Sequence, residues 1–326
     1  MVGRIRSFDW ASTPLGPIAC WPQSLRSIID LMLNAPWMAV VGWGPDFCVL
    51  YNDAFAATLK DGAESGLGRP FREVWTDPVR DEILAGIRAG KARQVVDRCV
   101  ETPYRAEQPQ GWFTSTWTPL RDEIGTVIGF HVAAIETSDR VLVEQRLRER
   151  EMQQAYLLRL SDALRPLADP AAIQGEACRL LGEHLGTDHT YYVSIREAEG
   201  VAVIEQDHAR GVPSFVGTYS LDVLAWVVPL YRSGRPIAVE DMWTTDLVPE
   251  PERSRLAAGG VVGWIAVPLV KHDALVGALS VVCGQARVWS ETEIALVAET
   301  GERIWAAVER AKAEAQARDT EARLRT

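Results

Sequence analysis

Residues 138–164 read "SDRVLVEQRLREREMQQAYLLRLSDAL", a run with neither glycine nor proline and built mostly from strong helix formers. A chain with such a rod near its middle must be organised as one body before it and another after it. The apolar positions of the rod thin out where Arg146, Arg150 and Gln153 stand, and return at Leu157, Leu160 and Leu164. This pattern predicts an exposed connecting helix that pairs with a second copy of itself. The length of 326 residues supplies about one ordinary domain on each side.

Before the rod, a lead segment (residues 8–34) is held extended in its first half by Pro14 and Pro17. Ser24 then caps a helix whose Leu25, Ile28, Ile29 and Met32 recur at helical spacing. Two short β runs, "MAVVGW" and "FCVLYN", flank Gly44, Pro45 and Asp46, a hairpin signal. "DEILAGIRAG" predicts a helix stopping at Gly90. "RQVVDRCVE", "GWFTSTWTPLRD" and "TVIGFHVAAIET" predict strands, the last two joined by a tight turn at 123–125.

After the rod, "AAIQGEACRLLGEHLG" predicts a helix, "HTYYVSIR" and "VAVIEQD" strands, "LDVLAWVVPLYRSG" a helix, "PIAVEDM" a strand and "PERSRLAAGG" a helix. "GWIAVPLVKHDALVGALSVVCG" predicts two long apolar strands turning at His272 and Asp273. Ser290 with Glu293 is a capping box that opens the final helix. Ile294, Val297, Gly301, Ile304, Val308, Ala311 and Ala315 then alternate at spacings of three and four, the seam of a coiled coil. The predicted class is α+β: a first domain at 1–137, a connecting helix at 138–166, a second domain at 167–289 and a coiled-coil helix at 290–326. Each domain carries an antiparallel sheet flanked by helices.

Composition narrows the function. A net charge of −10 argues against a nucleic-acid partner, and 47% hydrophobic residues suffice for filled cores. No apolar leader opens the chain, and no window reaches the roughly 18 apolar residues of a membrane span, so a cytoplasmic protein is expected. Five widely spaced cysteines without a C-x-x-C predict reduced thiols. None of the five histidines lies in either long helix, and no phosphate loop, G-x-S-x-G or H-E-x-x-H occurs, so no catalytic residues are expected. His184 and His189, five apart with Gly186 between them, do not make a metal pair.

Aromatic residues mark the pocket candidates. Trp112 and Trp117 are five apart and face opposite sides of a strand. Trp117 and Phe113 are candidates to line a pocket, with His131 on the neighbouring strand. Tyr192, Trp226 and Trp264 are candidates for a second pocket, where Tyr191 is the alternative to Tyr192. In "ETSDR", Ser138 or Asp139 can cap the rod, and Glu136, Asp139 and Arg140 suit a hinge that converts a strand shift into a helix rotation.

Several spaced stretches agree with a known family. "DWASTPLGPIACWPQSLRSIIDLMLNAP…VGWGPDFCVLYNDAF…LGRPFREVW" resembles the N-terminal PAS domain of bacterial sensor histidine kinases. "IGFHVAAIETSDRVLVEQRLRERE" resembles the end of a PAS domain entering its signalling helix. "GWIAVPLVKHDALVGALSVV" followed by "WSETEIALVAETGERIWAAVERA" resembles a GAF domain. The resemblance implies a sensory and dimerisation module of a two-component pathway. A homodimer would form through the connecting and C-terminal helices, with a kinase or a further PAS module downstream of "RDTEARLRT".

The resemblance also bears on cofactors. Asn52 is followed by Asp53 in a helix without cysteine, unlike flavin-adduct PAS domains, and the Asn-Lys start of cyclic-nucleotide GAF domains is absent. "PERSRLAAGGVVGWIAVPL" lacks the Pro-Ile-His of phytochrome-type GAF domains. Cys20 stands where bacterial phytochromes place a chromophore thiol, and His131 is the residue through which a PAS domain could hold haem. Bilin or haem binding is therefore the alternative function.

Overall fold

The computed structural model describes residues 1–59, 66–75, 77–101 and 110–324, and the last two residues of "RDTEARLRT" lie outside them. It divides into two units, Met1–Arg148 and Glu149–Thr326.

The first unit opens with α1 (Val2–Ser7), which the sequence reading missed, and α2 (Gln23–Asn34). Helix α2 starts directly after Pro22, so Ser24 lies inside the first turn instead of capping it; its Oγ donates to Glu123 Oε1 at 3.4 Å. Leu25, Ile29 and Met32 form its buried face. The predicted hairpin forms as β1 (Met38–Trp43) and β2 (Cys48–Tyr51), with Val41 opposite Leu50. Short helices α3 (Asp53–Ala56), α4 (Phe71–Val74) and α5 (Arg80–Arg88) follow, then β3 (Arg93–Glu101), β4 (Gln110–Arg121) and β5 (Val127–Glu136). The antiparallel sheet has the order β2-β1-β5-β4-β3. Asn52 ties its start together. Its Oδ1 accepts from Ala39 N and caps α3 through Phe55 N, while its Nδ2 donates to the carbonyls of Ala35 and Trp37.

Helix α6 (Ser138–Leu164) runs the full predicted length. In the second unit one face of its C-terminal turns is covered: Tyr156, Leu160 and Leu164 are buried beside α7 (Pro170–Leu185) and α10 (Glu291–Leu324), while Leu158 and Arg159 stay exposed. The strands are β6 (His189–Arg196), β7 (Val201–Ile204), β8 (Asp207–Ala209), β9 (Gly217–Ser220), β10 (Ile237–Val239), β11 (Gly263–Lys271) and β12 (Ala274–Cys283). They pair antiparallel in the order β10-β11-β12-β6-β7-β9, with β8 also on β6. His272 and Asp273 both take positive φ, 50° and 62°, which gives the two-residue turn the twist a hairpin requires. The helix predicted over "LDVLAWVVPLYRSG" shrinks to α8 (Val228–Arg232). Pro229 has no N–H to donate and is tolerated only in a first turn, so the helix cannot extend through it from upstream. Helix α9 (Glu250–Ala258) completes the set.

The capping box of α10 is reciprocal: Ser290 Oγ accepts from Glu293 N at 3.1 Å, and Glu293 Oε2 accepts from Ser290 N at 2.9 Å. The coiled-coil seam read along α10 is corrected by its burial. Val297, Ile304, Val308 and Ala311 are buried in the core between this helix, α6, α7 and the sheet of the same unit. A stripe at spacings of three and four describes any buried helix face and does not say what covers it. Gly301 faces Leu269 and Leu279, and a Cβ there would stand 3.5 Å or more from its neighbours, an ordinary contact. Gly301→Ala is therefore expected to stabilise the unit by about 0.5–1 kcal/mol through helix propensity. Urea unfolding of the variant checks this; a lower midpoint would mean that the helix face has no room.

Candidate functional site

Alternation along the first sheet sends Val40, Val132, Phe113, Ser115 and Trp117 to one face, where with Phe71 and Trp75 they line a cavity of about 580 Å³. The aromatic wall is ordered. Trp75 and Trp117 stack at 5.1 Å with 23° between their planes, and Phe71 meets Trp117 edge-on at 5.7 Å. Trp117 Nε1 donates to Ser115 Oγ at 3.0 Å, so the indole N–H is satisfied beside the cavity.

Arg98 and Asp77 also line this space. The guanidinium forks onto the carboxylate, Nε to Oδ2 at 3.0 Å and Nη2 to Oδ1 at 2.8 Å, and Val79 N adds a third donor at 2.9 Å. Burial alone would raise the Asp77 pKa. The Arg98 and Val79 hydrogen bonds outweigh it and hold the carboxyl below its usual range.

The sequence reading missed Asp97. It sits in a bulge of β3, between the paired residues Val95 and Arg98, with φ at 49°. Its carboxylate accepts from Thr137 Oγ1 at 2.8 Å and from Arg140 Nη2 at 2.5 and 2.6 Å. Arg140, then Thr137, hold its pKa down. Arg140 thus has Asp97 as its partner across the fold and Glu144 one turn on at 2.8 Å. Glu136 accepts from Ser138 Oγ at 2.8 Å, while Asp139 is an exposed acid in the first turn of α6. Ser138 does not cap the helix with its hydroxyl: Oγ accepts from Trp112 N at 2.9 Å, and Thr137 N donates to the Trp112 carbonyl at 2.8 Å. Two cavity residues, Arg98 and Phe113, are therefore chain neighbours of the two residues, Asp97 and Trp112, that hold the start of α6.

The remaining candidates separate. His131 pairs with Val41 and Thr118 and does not line the cavity, because the alternation that turns Val132 inward turns His131 to the other face. Burial lowers its pKa. In the second unit Trp264 is buried, and Trp226 half-buried, on the face covered by α8, together with Tyr191. Tyr192 lies on the opposite face, in the core with α7 and α10. The pairing of Trp264 with Val282, and of Val282 with His189, puts Tyr191 on their side, so Tyr192 is corrected as a partner of Trp264.

That face carries a second polar cluster. His189 Nε2 bonds Asp207 Oδ2 at 2.7 Å, and Asp207 also accepts from Phe215 N at 2.6 Å and Ser214 Oγ at 3.0 Å. Burial pushes the His189 pKa down more strongly than Asp207 raises it, whereas the donors around Asp207 overcome its burial and lower its own pKa. Both shifts describe a neutral imidazole donating to an ionised carboxylate. His189 Nδ1 and Trp226 Nε1 are buried on this face without a partner among the described residues. A depressed histidine pKa contributes stability that is present above the usual value of 6.5 and is lost as pH falls below it toward the folded-state value. Protection factors of the β6 amides are expected to drop over that interval. A flat profile would show that His189 charges without cost.

Neither His131 nor Cys20, the two residues read as tetrapyrrole candidates, lines the PAS cavity. His131 is turned away from the cavity, and Cys20 is an exposed residue of a single 3₁₀ turn. Arg98, the described cation lining the cavity, is committed to Asp77. In the second unit Cys178 and Cys283 belong to the helix-facing core, away from Trp264. Among the described residues no cluster of His, Cys, Asp and Glu is suited to a metal ion, and no helix is long and apolar enough to cross a membrane.

Comparison with known proteins agrees with the two sheets. Residues 35–142 match the family model described as PAS fold, and residues 169–308 the model described as GAF domain. No curated protein matches the chain. Similar solved structures include a far-red absorbing dark state with bound biliverdin IXa (16% identity, 48% of this chain and 99% of that chain, TM-score 0.43). Another is the blue-light absorbing form of the PixJ GAF domain of Thermosynechococcus elongatus (24% identity, 47% and 92%, TM-score 0.40). A third is the free methionine-R-sulfoxide reductase of Neisseria meningitidis with its substrate (13% identity, 50% and 91%, TM-score 0.40). The chain carries a PAS-fold domain followed by a GAF domain.

Proposed function

We propose that this chain is the sensory and dimerisation module of a bacterial two-component signalling protein. The PAS cavity receives a small ligand, and its occupancy is relayed along α6 and α10 to a kinase-type output. The observation that carries this reading is the adjacency of cavity and hinge: Arg98 and Phe113 line the cavity, and their neighbours Asp97 and Trp112 grip Thr137, Ser138 and Arg140. A ligand that prefers one placement of β3 and β4 thereby prefers one placement of the first turn of α6, which is the differential affinity a switch requires.

Within the second unit the signal has a direct path. Tyr156 Oη and Thr300 Oγ1 are 3.1 Å apart, Arg303 Nη1 donates to Ser161 Oγ at 2.6 Å, and Arg310 Nη2 donates to the Leu164 carbonyl at 3.3 Å. Residue numbers rise together in these pairs, so incoming and outgoing helices run parallel, side by side. Val143 and Leu147 of α6 are exposed and one turn apart, and they offer a second copy an apolar contact.

The test joins residues 1–326 to the dimerisation and catalytic core of a histidine kinase and measures autophosphorylation. Arg140→Ala is expected to move the activity several-fold from that of the unaltered chimera. Equal activities would overturn the relay.

A further inference from the structure

The charges around the PAS cavity select among ligands. Its described lining holds one cation, Arg98, and two carboxylates, Asp77 and Glu101. Arg98 is already neutralised by the two-pronged contact with Asp77, whose side chain is 8% exposed. An incoming carboxylate would lose its water, meet an aromatic wall and find the guanidinium occupied by a competing carboxylate. Burying a charge on those terms is strongly unfavourable. A neutral flat ring system loses little on entering. It can lie against the Trp75–Trp117 stack and the edge of Phe71, and Ser115 supplies a hydroxyl for one polar substituent.

We propose that the PAS cavity binds an uncharged planar aromatic molecule of several fused rings and rejects its carboxylated counterpart, with Asp77 setting this preference by occupying Arg98. The inference rests on the reading of this cavity as the sensory site, and it adds the ligand class and the residue that sets charge selectivity. Arg98 stands next to Asp97, so the pair that screens the ligand adjoins the hinge.

The experiment uses the full chain and two probes of nearly the same shape, pyrenemethanol and pyrenecarboxylate, read by energy transfer from tryptophan to pyrene. The neutral probe is expected to bind at least about tenfold more tightly. Asp77→Asn keeps an acceptor for Val79 N but frees the guanidinium, so the carboxylate should gain about tenfold while the neutral probe changes little. Arg98→Gln, an independent second variant, should retain binding of the neutral probe and continue to reject the anion. Trp117→Leu should weaken the neutral probe with an unchanged far-UV spectrum, which places the signal in this cavity.

Equal binding of the two probes, binding of neither, or an Asp77→Asn variant with unaltered charge preference would overturn the proposal. The kinase chimera with Arg140→Ala is read without any ligand, so the relay and the ligand class fail separately.

Discussion

Alanine in place of Ile304 is expected to lower the unfolding free energy of the GAF unit by about 2–5 kcal/mol, the range for truncating a fully buried aliphatic side chain. Ile304 has no exposed surface and sits on the face of α10 that includes Val297, Val308 and Ala311. The neighbours that would close the cavity belong to β11, β12 and α7, whose strands and long helix are held by their own pairing. The site relaxes little, which favours the upper part of the range. Urea unfolding at several protein concentrations is the measurement. The lost contacts lie within one chain, so the difference between variant and parent should not depend on concentration. A difference that shrinks on dilution would restore the reading of this stripe as a seam between two copies.

The second large effect concerns the junction of β5 and α6. Asp97→Ala removes the acceptor shared by Thr137 and Arg140, and should loosen the first turn of α6 while leaving the sheet intact. Hydrogen exchange is expected to accelerate several-fold at the amides of residues 141–144, the first to be bonded within α6, with unchanged protection at Phe130 and Val132 in the middle of β5. The Asp97 pKa is depressed chiefly by Arg140. The clamp is therefore complete above the usual carboxylate range and is lost only as pH falls through the lowered value. At neutral pH the substitution acts at full size. Unchanged exchange in that turn would show that the backbone contacts of Trp112 with Thr137 and Ser138 suffice.

How far the sequence discloses this molecule depends on whether a feature is local. The span of α6 follows from the absence of glycine and proline and was legible to within two residues. So were the hairpin of β1 and β2, the capping box of Ser290 and Glu293, and the turn at His272 and Asp273. Trp117 and Phe113 were legible as lining residues because a strand sends every second side chain the same way. The misses need information from distant segments. Which of Tyr191 and Tyr192 faces Trp264 is set by registers passing through β12, and a shift of one residue exchanges them. Asp97 lies in an unremarkable strand run, and its bulge carries no glycine to announce it. The stripe along α10 has the same spacing whether a sheet or another helix covers it.

The side-by-side course of α6 and α10 has a consequence for how such chains are built. Tyr156 and Thr300 are 144 positions apart, yet their hydroxyl oxygens are 3.1 Å from each other. The polypeptide leaves its track, folds an entire domain, and comes back to the track beside its point of departure, heading the same way. The whole of the second sheet with its covering helices is thus an excursion whose two ends lie against each other, so its entry and exit are fixed by the same three side-chain contacts.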